Sequence, residues 1–212
     1  MKTITRHIDI EEEYTLYTFD ELPEEGKQKV RDWYIHDSYF RDTDIFTEDC
    51  NNYLAELFPN SDLKVQYSLC YCQGDGLNIY GDLDLMDIYE KIKGIFTEKE
   101  QKFFRWCLSE YSYSYKMDSN SRYCYCICDR WDYSEGIIDD MEYADLRNIR
   151  YDLLEKFSKE CADYLCDLCS RFEQDGYSWF YEPTDEEISE DLSANDFEFL
   201  EDGTIFWSED SI

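Results

Sequence analysis

The acidic C-terminal segment is the feature that most constrains how this chain folds. From Phe172 to Ile212 the sequence carries fourteen Asp or Glu residues and no Lys or Arg, and the last basic residue is Arg171. The whole chain has 51 acidic and 20 basic residues in 212, which gives a formal net charge of −31. Charge of one sign repels itself in a compact state, although it also keeps a protein soluble and attracts basic surfaces. A stable fold therefore needs enough apolar burial to overcome this repulsion.

Aromatic residues supply that apolar material. The chain has thirteen Phe, twenty Tyr and five Trp residues but only three Pro, and aromatic side chains bury large areas. Disorder, which usually accompanies a high net charge when hydrophobic residues are scarce, is therefore not expected. The length fits one domain or two small ones. We expect a single acidic domain over residues 1–212, with a folded and strongly acidic C-terminal subregion at 172–212.

The sequence also predicts a cytoplasmic protein. No apolar run approaches the roughly 20 residues that a membrane span needs, and the N-terminal residues lack the apolar stretch of a secretory signal. The ten cysteines are then expected to be reduced. A strongly negative field disfavours nucleic acid and anionic membranes as direct partners.

Alternation of apolar with polar or small side chains predicts three antiparallel hairpins. Their turns are expected at Gln73–Gly76, Asp118–Ser121 and Asp202-Gly203. The Asp-Gly pair is the strongest of these signals, because both residues tolerate the positive φ angles of a tight turn. A further short strand is predicted at Tyr14–Phe19.

Apolar residues repeating every three or four positions predict several helices. They are expected at about Leu22–Tyr34, Asp44–Phe58, Met86–Lys93, Thr97–Leu108, 142–173 and Thr184–Leu192. The segment at 142–173 is the longest, and Gly176 is placed to end it. The fold class predicted is α+β, with antiparallel hairpins packed against several helices.

Catalytic motifs are absent, so we do not expect an enzyme, a catalytic residue or a cofactor. Only two His residues occur, and the spacings typical of serine hydrolases, phosphate-binding loops and zinc proteases are missing. The acids at Asp82, Asp84 and Asp87 do not fit a calcium loop, because Met86 falls where an oxygen ligand is needed. A metal-dependent enzyme that uses clustered carboxylates remains an alternative.

The cysteines leave two interpretations open. Cys166 and Cys169 form a C-x-x-C pair within a predicted helix, and a zinc site would need two more ligands. Cys124, Cys126 and Cys128 share one face of a predicted strand and are able to supply them. The interpretation we favour from the sequence is that these residues are small buried hydrophobic side chains between helix and sheet, with no bound metal.

The acidic surface suggests nucleic-acid mimicry. Duplex DNA carries one charge per about 1.7 Å of its axis, so 31 charges correspond to the phosphates of about 15 base pairs. A protein whose groove holds phosphates with Lys and Arg would meet a similar field on this chain. The alternative is a generic acidic coat that serves only solubility.

Three patches of the sequence resemble a loose group of small acidic proteins from phages and mobile elements of Gram-positive bacteria. The patches are the Phe-Asp-Glu-Leu opening followed by a Glu-Glu-x-x-Lys-x-Lys-like helix at 14–34, the Tyr-Cys-Gln-Gly-Asp-Gly turn near 71–76, and the acidic ending at 194–203. Pro23 and Gly26 depart from the pattern, which usually has helix-forming residues there. In size and charge the chain is also similar to anti-CRISPR and anti-restriction DNA mimics. That resemblance implies an anti-defence role in the cytoplasm of a bacterial host cell.

The function predicted is therefore inhibition of a CRISPR effector nuclease by occlusion of its nucleic-acid groove, and the partner is a basic nucleic-acid-binding protein. An antitoxin-like protein that neutralises some other basic partner is the alternative. The acids expected to form the contact face are Asp139, Asp140, Asp185, Glu186, Glu187, Glu190, Asp191, Glu201 and Asp202.

Overall fold

The α+β class predicted from the sequence is confirmed. The computed structural model describes residues 13–36, 40–110, 114–117, 124–128 and 151–206. These residues form six α-helices and one three-stranded antiparallel sheet. The helices are α1 (Glu24–His36), α2 (Thr43–Leu57), α3 (Leu85–Ile92), α4 (Glu98–Glu110), α5 (Tyr151–Tyr181) and α6 (Asp185–Ala194), and the strands are β1 (Asp62–Ser68), β2 (Gly76–Asp84) and β3 (Ser114–Met117).

The chain divides into two compact units. Unit 1 combines Met1–Arg41 with Phe180–Ile212, and unit 2 is Asp42–Trp179. No helix in the described ranges is both long enough and apolar enough to cross a membrane.

The core of unit 1 is aromatic and aliphatic. Its buried residues are Phe19, Leu22, Val30, Tyr34, Ile188, Leu192 and Phe199. On α1 and on α6 the buried pair is spaced four residues apart, which puts both members on one face of the helix. Full burial of each such side chain contributes about 1.5–3 kcal/mol. This burial offsets the repulsion between the acids on the outside of the same unit.

The strand predicted at Tyr14–Phe19 is wrong. Only Tyr17 bridges to another segment: its backbone N–H donates to the Phe199 carbonyl at 2.9 Å, and the Phe199 N–H donates back at 2.9 Å. Phe19–Glu21 forms a single turn of 3-10 helix instead. The cause is local, because the Glu21 carboxylate accepts the Thr18 backbone N–H at 3.0 Å and so starts a helical turn where the strand was expected.

The turn predicted at Asp202-Gly203 is confirmed. The Leu200 N–H donates to the Thr204 carbonyl at 2.8 Å, and the Gly203 N–H donates to the Leu200 carbonyl at 2.8 Å. Gly203 has a φ of 79°, which a side chain would strain. A Cβ on Gly203 would also lie 2.4 Å from the carbonyl oxygen of Gly26. Gly26 stands in α1 where a helix-forming residue is usual. Its close packing against this turn explains the glycine, because a Cβ on Gly26 would lie 2.7 Å from the carbonyl oxygen of Glu201.

Unit 2 contains the sheet, with strands in the order β1-β2-β3. The first predicted hairpin is confirmed: Val65 lies opposite Ile79 and Tyr67 opposite Leu77. Val65 and Ile79 are buried, whereas Lys64 is exposed, as the alternation predicts. The loop between these strands is closed by Asp75, and the plain turn predicted at Gln73–Gly76 is thus confirmed.

The second predicted hairpin is wrong in its pairing where the structure describes it, and its turn at Asp118–Ser121 lies outside the described residues. Ser114–Met117 is a strand, but it pairs with β2, with Gly81 opposite Met117. The expected return strand has no ladder partner over Cys124–Cys128. Hydrogen bonds from outside the hairpin hold this segment instead: the Cys124 N–H donates to the Gly74 carbonyl at 3.1 Å, and the Ile127 N–H donates to the side chain of Asn78 at 3.1 Å.

The long helix predicted near 142–173 is confirmed as α5, and the part before Tyr151 lies outside the described residues. Its end differs from the prediction, because the helix continues through Gly176 to Tyr181. Gly176 is buried, and a Cβ there would lie 2.4 Å from Leu69 Cδ1 and 2.9 Å from Phe46 Cζ. This glycine lets side chains from elsewhere in unit 2 approach the helix backbone.

Candidate functional site

Seven of the nine acids predicted to contact a partner lie on two elements of unit 1. Five are on α6, and Glu201 and Asp202 are at the tight turn that follows. The remaining two, Asp139 and Asp140, lie outside the described residues. The seven acids divide into those that bind groups within unit 1 and those that do not.

Glu187 is the partner of the helix N-cap. The Thr184 backbone N–H donates to the Glu187 carboxylate at 2.7 Å, and the Glu187 N–H donates to the Thr184 hydroxyl at 3.3 Å. This reciprocal pair satisfies two backbone groups at the start of α6. The hydrogen bond from the Thr184 backbone lowers the pKa of Glu187, as does the charge of Arg41. The capping box predicted from the sequence is therefore confirmed, and it uses a carboxylate that was also expected to face a partner.

Asp185 binds α1. Arg31 Nε lies 2.7 Å from Asp185 Oδ1, and Arg31 Nη2 lies 2.7 Å from Asp185 Oδ2. The planar guanidinium fits a carboxylate in this two-point manner. Glu24 binds the same guanidinium at 2.7 Å. The hydrogen bonds from Arg31 hold the pKa of Asp185 below its ordinary value.

Asp191 and Asp202 also have partners inside unit 1. The Tyr34 hydroxyl donates a short hydrogen bond to Asp191, and burial together with this bond raises the pKa of Tyr34. Asp202 accepts from the Thr204 hydroxyl at 2.9 Å and from Lys29 Nζ at 3.0 Å. These hydrogen bonds lower the pKa of Asp202 to about 2. Both acids are therefore fixed in position by α1 or by their own turn.

Glu186, Glu190 and Glu201 are exposed, and within the described residues none has an ion pair or a side-chain hydrogen bond. Glu186 and Glu190 are four residues apart, so they lie on the same face of α6. Their carboxylates remain available to a partner.

A cleft of about 730 Å³ lies beside the tight turn. It is lined by Pro23, Glu25, Gly26, Lys29, Glu201 and Asp202. Three of these residues are carboxylates, and the single cation is already bound to Asp202. Glu25 was missed in the sequence analysis, where it was interpreted only as a favourable residue for a helix start. Its place in the cleft follows from the close approach of α1 to the turn, which no local pattern indicates.

The charges of unit 1 are strongly unbalanced. Its described residues include sixteen Asp or Glu and four Lys or Arg. All four cations lie against carboxylates or aromatic rings of the same unit, namely Lys27 over Phe19, Lys29 at Asp202, Arg31 at Asp185 and Glu24, and Arg41 at Glu187 and over Tyr34. Most of the acids therefore have no cation to neutralise them.

The acids considered for calcium serve the fold of unit 2. Asp87 is buried and accepts hydrogen bonds from the Asn60 backbone at 2.8 Å, the Asn60 side chain at 2.8 Å and the Ser61 hydroxyl at 2.9 Å. Asp84 caps the start of α3 with its side chain. Asp82 is exposed. Two of the three carboxylates thus have structural partners.

Four cysteines converge in unit 2. Cys126 Sγ lies 3.4 Å from Cys166 Sγ, and Cys128 Sγ lies 3.9 Å from Cys169 Sγ. The sulphur atoms of Cys126, Cys128 and Cys169 are all within 4.8 Å of one another. Hydrogen bonds from the Cys128 and Cys169 thiols lower the pKa of Cys126. The hydrogen bond that Cys128 makes with Cys126 raises the pKa of Cys128.

Comparison with protein-family models, curated proteins and solved structures gives no match. The resemblance to small acidic phage proteins therefore stays a prediction. Function has to be inferred from the charges and contacts of the described residues.

Proposed function

We propose that this chain is a non-enzymatic inhibitor whose acidic surface occupies the nucleic-acid groove of a basic defence nuclease. The expected target is a bacterial CRISPR effector, in keeping with the phage-like character of the sequence. Inhibition is steric and electrostatic, because carboxylates take the places of phosphates and exclude the target DNA. The chain does not bind nucleic acid itself, since its own field repels phosphates.

The observation that carries the proposal is the excess of acids in unit 1. The described residues of unit 1 include sixteen acidic residues and only four basic ones, and each basic residue already has a partner inside the unit. An acidic surface that served only solubility would not require each of the few basic residues to be paired within the unit. A surface that keeps its acids free of neutralising cations attracts a basic partner more strongly and speeds association.

The density of charge on α6 is comparable to that of DNA. Five acids fall within the seven residues Asp185–Asp191, which span about 10 Å of helix axis at 1.5 Å per residue. The resulting spacing of about 2 Å per charge lies between those of a single DNA strand, about 3.4 Å, and a duplex, about 1.7 Å. Pairing of Asp185 with Arg31 and of Glu187 with Arg41 reduces this charge, and it also fixes the helix on which Glu186 and Glu190 are presented.

The cleft beside the tight turn fits a basic side chain. Glu25 and Glu201 line it with no cation bound to either among the described residues. An Arg or Lys of the partner that normally holds a phosphate would find two carboxylates here. Such charge-assisted hydrogen bonds are about twice as strong as neutral ones.

Displacement of DNA tests this function. A panel of purified CRISPR effector–guide RNA complexes is loaded with fluorescent target duplex, and the anisotropy is followed as this protein is added. We expect displacement from at least one effector, and we expect the dissociation constant of this protein for that effector, measured by direct titration without DNA, to rise when salt is raised from about 50 to 200 mM. Simultaneous binding of protein and DNA by the effectors that capture this protein would contradict occlusion. A dissociation constant independent of salt would contradict the electrostatic mechanism.

A further inference from the structure

The four converging cysteines have the geometry of a metal-ligand set, and we propose that unit 2 binds one zinc ion through Cys126, Cys128, Cys166 and Cys169. The site is distinct from the acidic surface and does not depend on the function proposed for it.

The distances between sulphur atoms fit a single tetrahedral ion. A Zn–S bond is about 2.3 Å, so two sulphurs of a tetrahedral site lie about 3.8 Å apart. Two of the sulphur pairs are 3.4 Å and 3.9 Å apart, and the sulphurs of Cys126, Cys128 and Cys169 all lie within 4.8 Å of one another. Sulphurs this close surround one ion and leave no room for a multi-iron cluster. A disulfide would need about 2.05 Å, and all ten cysteines are free thiols.

Two short sequence motifs supply the ligands. Cys166 and Cys169 are three residues apart on α5, so both side chains leave the same face of the helix. Cys126 and Cys128 are two residues apart in a segment that forms no strand, and their sulphurs contact Cys166 and Cys169 of α5 respectively. This pairing of C-x-C with C-x-x-C brings four thiols together from two separate parts of the chain.

Neighbouring groups orient the C-x-C segment. The Cys128 backbone N–H donates to Cys126 Sγ at 3.4 Å, a contact that stabilises negative charge on a ligating sulphur. The Ile127 N–H donates to Asn78 Oδ1 at 3.1 Å, and Asn78 is fully buried on β2. Asn78 is thus a positioning residue that holds both ligands of this segment towards α5.

Simple packing of cysteines as hydrophobic side chains does not account for this cluster. Cys161 shows what such packing looks like in the same helix, since it is fully buried and has no sulphur contact within the described residues. At the cluster, by contrast, the sulphurs of Cys126, Cys128 and Cys169 lie within 4.8 Å of one another and Cys166 Sγ lies 3.4 Å from Cys126 Sγ. Cys126 and Cys166 are also partly exposed. A thiol is only a weak hydrogen-bond donor and acceptor, so mutual contacts of thiols give little reason for four of them to meet at one point.

The ion would have a structural role. Four protein ligands fill a tetrahedral coordination sphere and leave no open position for water or substrate, as in structural zinc sites. Binding joins the 124–128 segment to α5, where no strand ladder holds it. Because the ligands are brought together only in the folded chain, the free energy of zinc binding adds to the free energy of folding of unit 2.

Zinc stoichiometry tests the site directly. The full chain is stripped with a chelator under reducing conditions, reloaded with zinc chloride, desalted, and analysed for bound metal. We expect one zinc per chain, which is lost in the Cys166→Ser/Cys169→Ser variant and kept in the matched Cys70→Ser/Cys72→Ser control, whose thiols are exposed on the loop before β2. No zinc in the reloaded wild-type protein, or zinc retained by the Cys166→Ser/Cys169→Ser variant, overturns the proposal.

Alkylation of the unaltered chain covers the case in which that variant does not fold. Native protein is treated with iodoacetamide, with and without prior zinc removal, and modified cysteines are identified by mass spectrometry. We expect Cys70 and Cys72 to react in both samples, and Cys126 and Cys166 to react only after zinc is removed. Equal modification of Cys126 and Cys166 in the two samples would show that zinc does not bind them.

Discussion

Arg31 and Asp185 form a two-point ion pair in which both contacts measure 2.7 Å. The pair links α1 to the first turn of α6, across 154 residues of sequence. An acid predicted to meet a partner is therefore bound within unit 1, and its charge is shared with a guanidinium. The contribution of the Asp185 carboxylate to stability is therefore measurable separately from the contribution of the exposed Glu186 and Glu190 to partner binding.

The Asp185→Asn variant is expected to lower the free energy of unfolding of unit 1 by about 0.5–1 kcal/mol at pH 7, the usual range for a pair open to solvent. Arg31 lowers the folded-state pKa of Asp185. The contribution is therefore present above the unfolded-state value of about 3.9 and is lost as the pH falls through the folded value. Urea denaturation at pH 7 and at pH 3 measures both free energies. Glu186→Gln, which alters an acid without such a partner on the same turn, is the control. An Asp185→Asn deficit that stays undiminished at pH 3 would rule out the ion pair as its source.

Asp87→Ala is expected to destabilise unit 2 by about 2–3 kcal/mol. The substitution leaves the Asn60 and Ser61 donors without their acceptor in a part-buried site. Asp82→Ala removes an exposed acid five residues earlier and is expected to change the free energy of unfolding by less than about 0.5 kcal/mol. Thermal and urea unfolding of both variants gives the comparison. Equal effects would mean that Asp87 does not hold Asn60 and Ser61 against α3.

Gly203→Ala is expected to destabilise unit 1 by about 1–3 kcal/mol, the cost of a residue held in a disfavoured backbone region. Its new Cβ meets the backbone oxygen of Gly26 at 2.4 Å, at a φ of 79°. Gly94→Ala is the matched control, because a Cβ at Gly94 has nothing within 4 Å. That control is expected to be neutral or slightly stabilising, since alanine restricts the unfolded chain. A Gly203→Ala protein as stable as the wild type would show that α1 and the turn do not pack as described.

Local sequence signals predicted the helices well. The Thr184 and Glu187 pair that begins α6 acts within one turn of helix, and so does Thr97 with Glu100 before α4. Such contacts depend only on spacing, which the sequence displays. The Asp202-Gly203 turn was predicted for the same reason.

Long-range contacts set most of the parts that the sequence did not predict, although the cause at Tyr14–Phe19 is local. The strand expected at Tyr14–Phe19 shortened to one bridge at Tyr17, because Thr18 and Glu21 form a helical turn. The segment at 124–128 follows a hydrogen bond to Asn78 rather than a hairpin partner. Gly176 does not end α5. Because glycine has no Cβ, the side chain of Leu69 packs directly against the helix backbone at this position.

The candidate site was predicted only in its composition. The sequence indicated that α6 and the tight turn are acidic, but it could not indicate that Arg31 binds Asp185 or that Tyr34 binds Asp191. It likewise proposed three cysteines as possible partners of Cys166 and Cys169. Which of them meet α5 depends on the tertiary hydrogen bonds that hold residues 124–128, such as the one from Ile127 to Asn78.

The most direct test of the central claim compares two triple variants in the DNA-displacement assay, with the effector that captures the wild-type protein. One variant, Glu186→Gln/Glu190→Gln/Glu201→Gln, removes three charges from the exposed acids of unit 1. The other, Glu48→Gln/Glu56→Gln/Glu98→Gln, removes three exposed charges from unit 2, so the two proteins have the same net charge. We expect the first variant to displace DNA about tenfold less effectively than the wild type, equivalent to about 1.4 kcal/mol, and the second to resemble the wild type. Equal affinity of the two variants would contradict the claim that unit 1 presents the surface that replaces DNA.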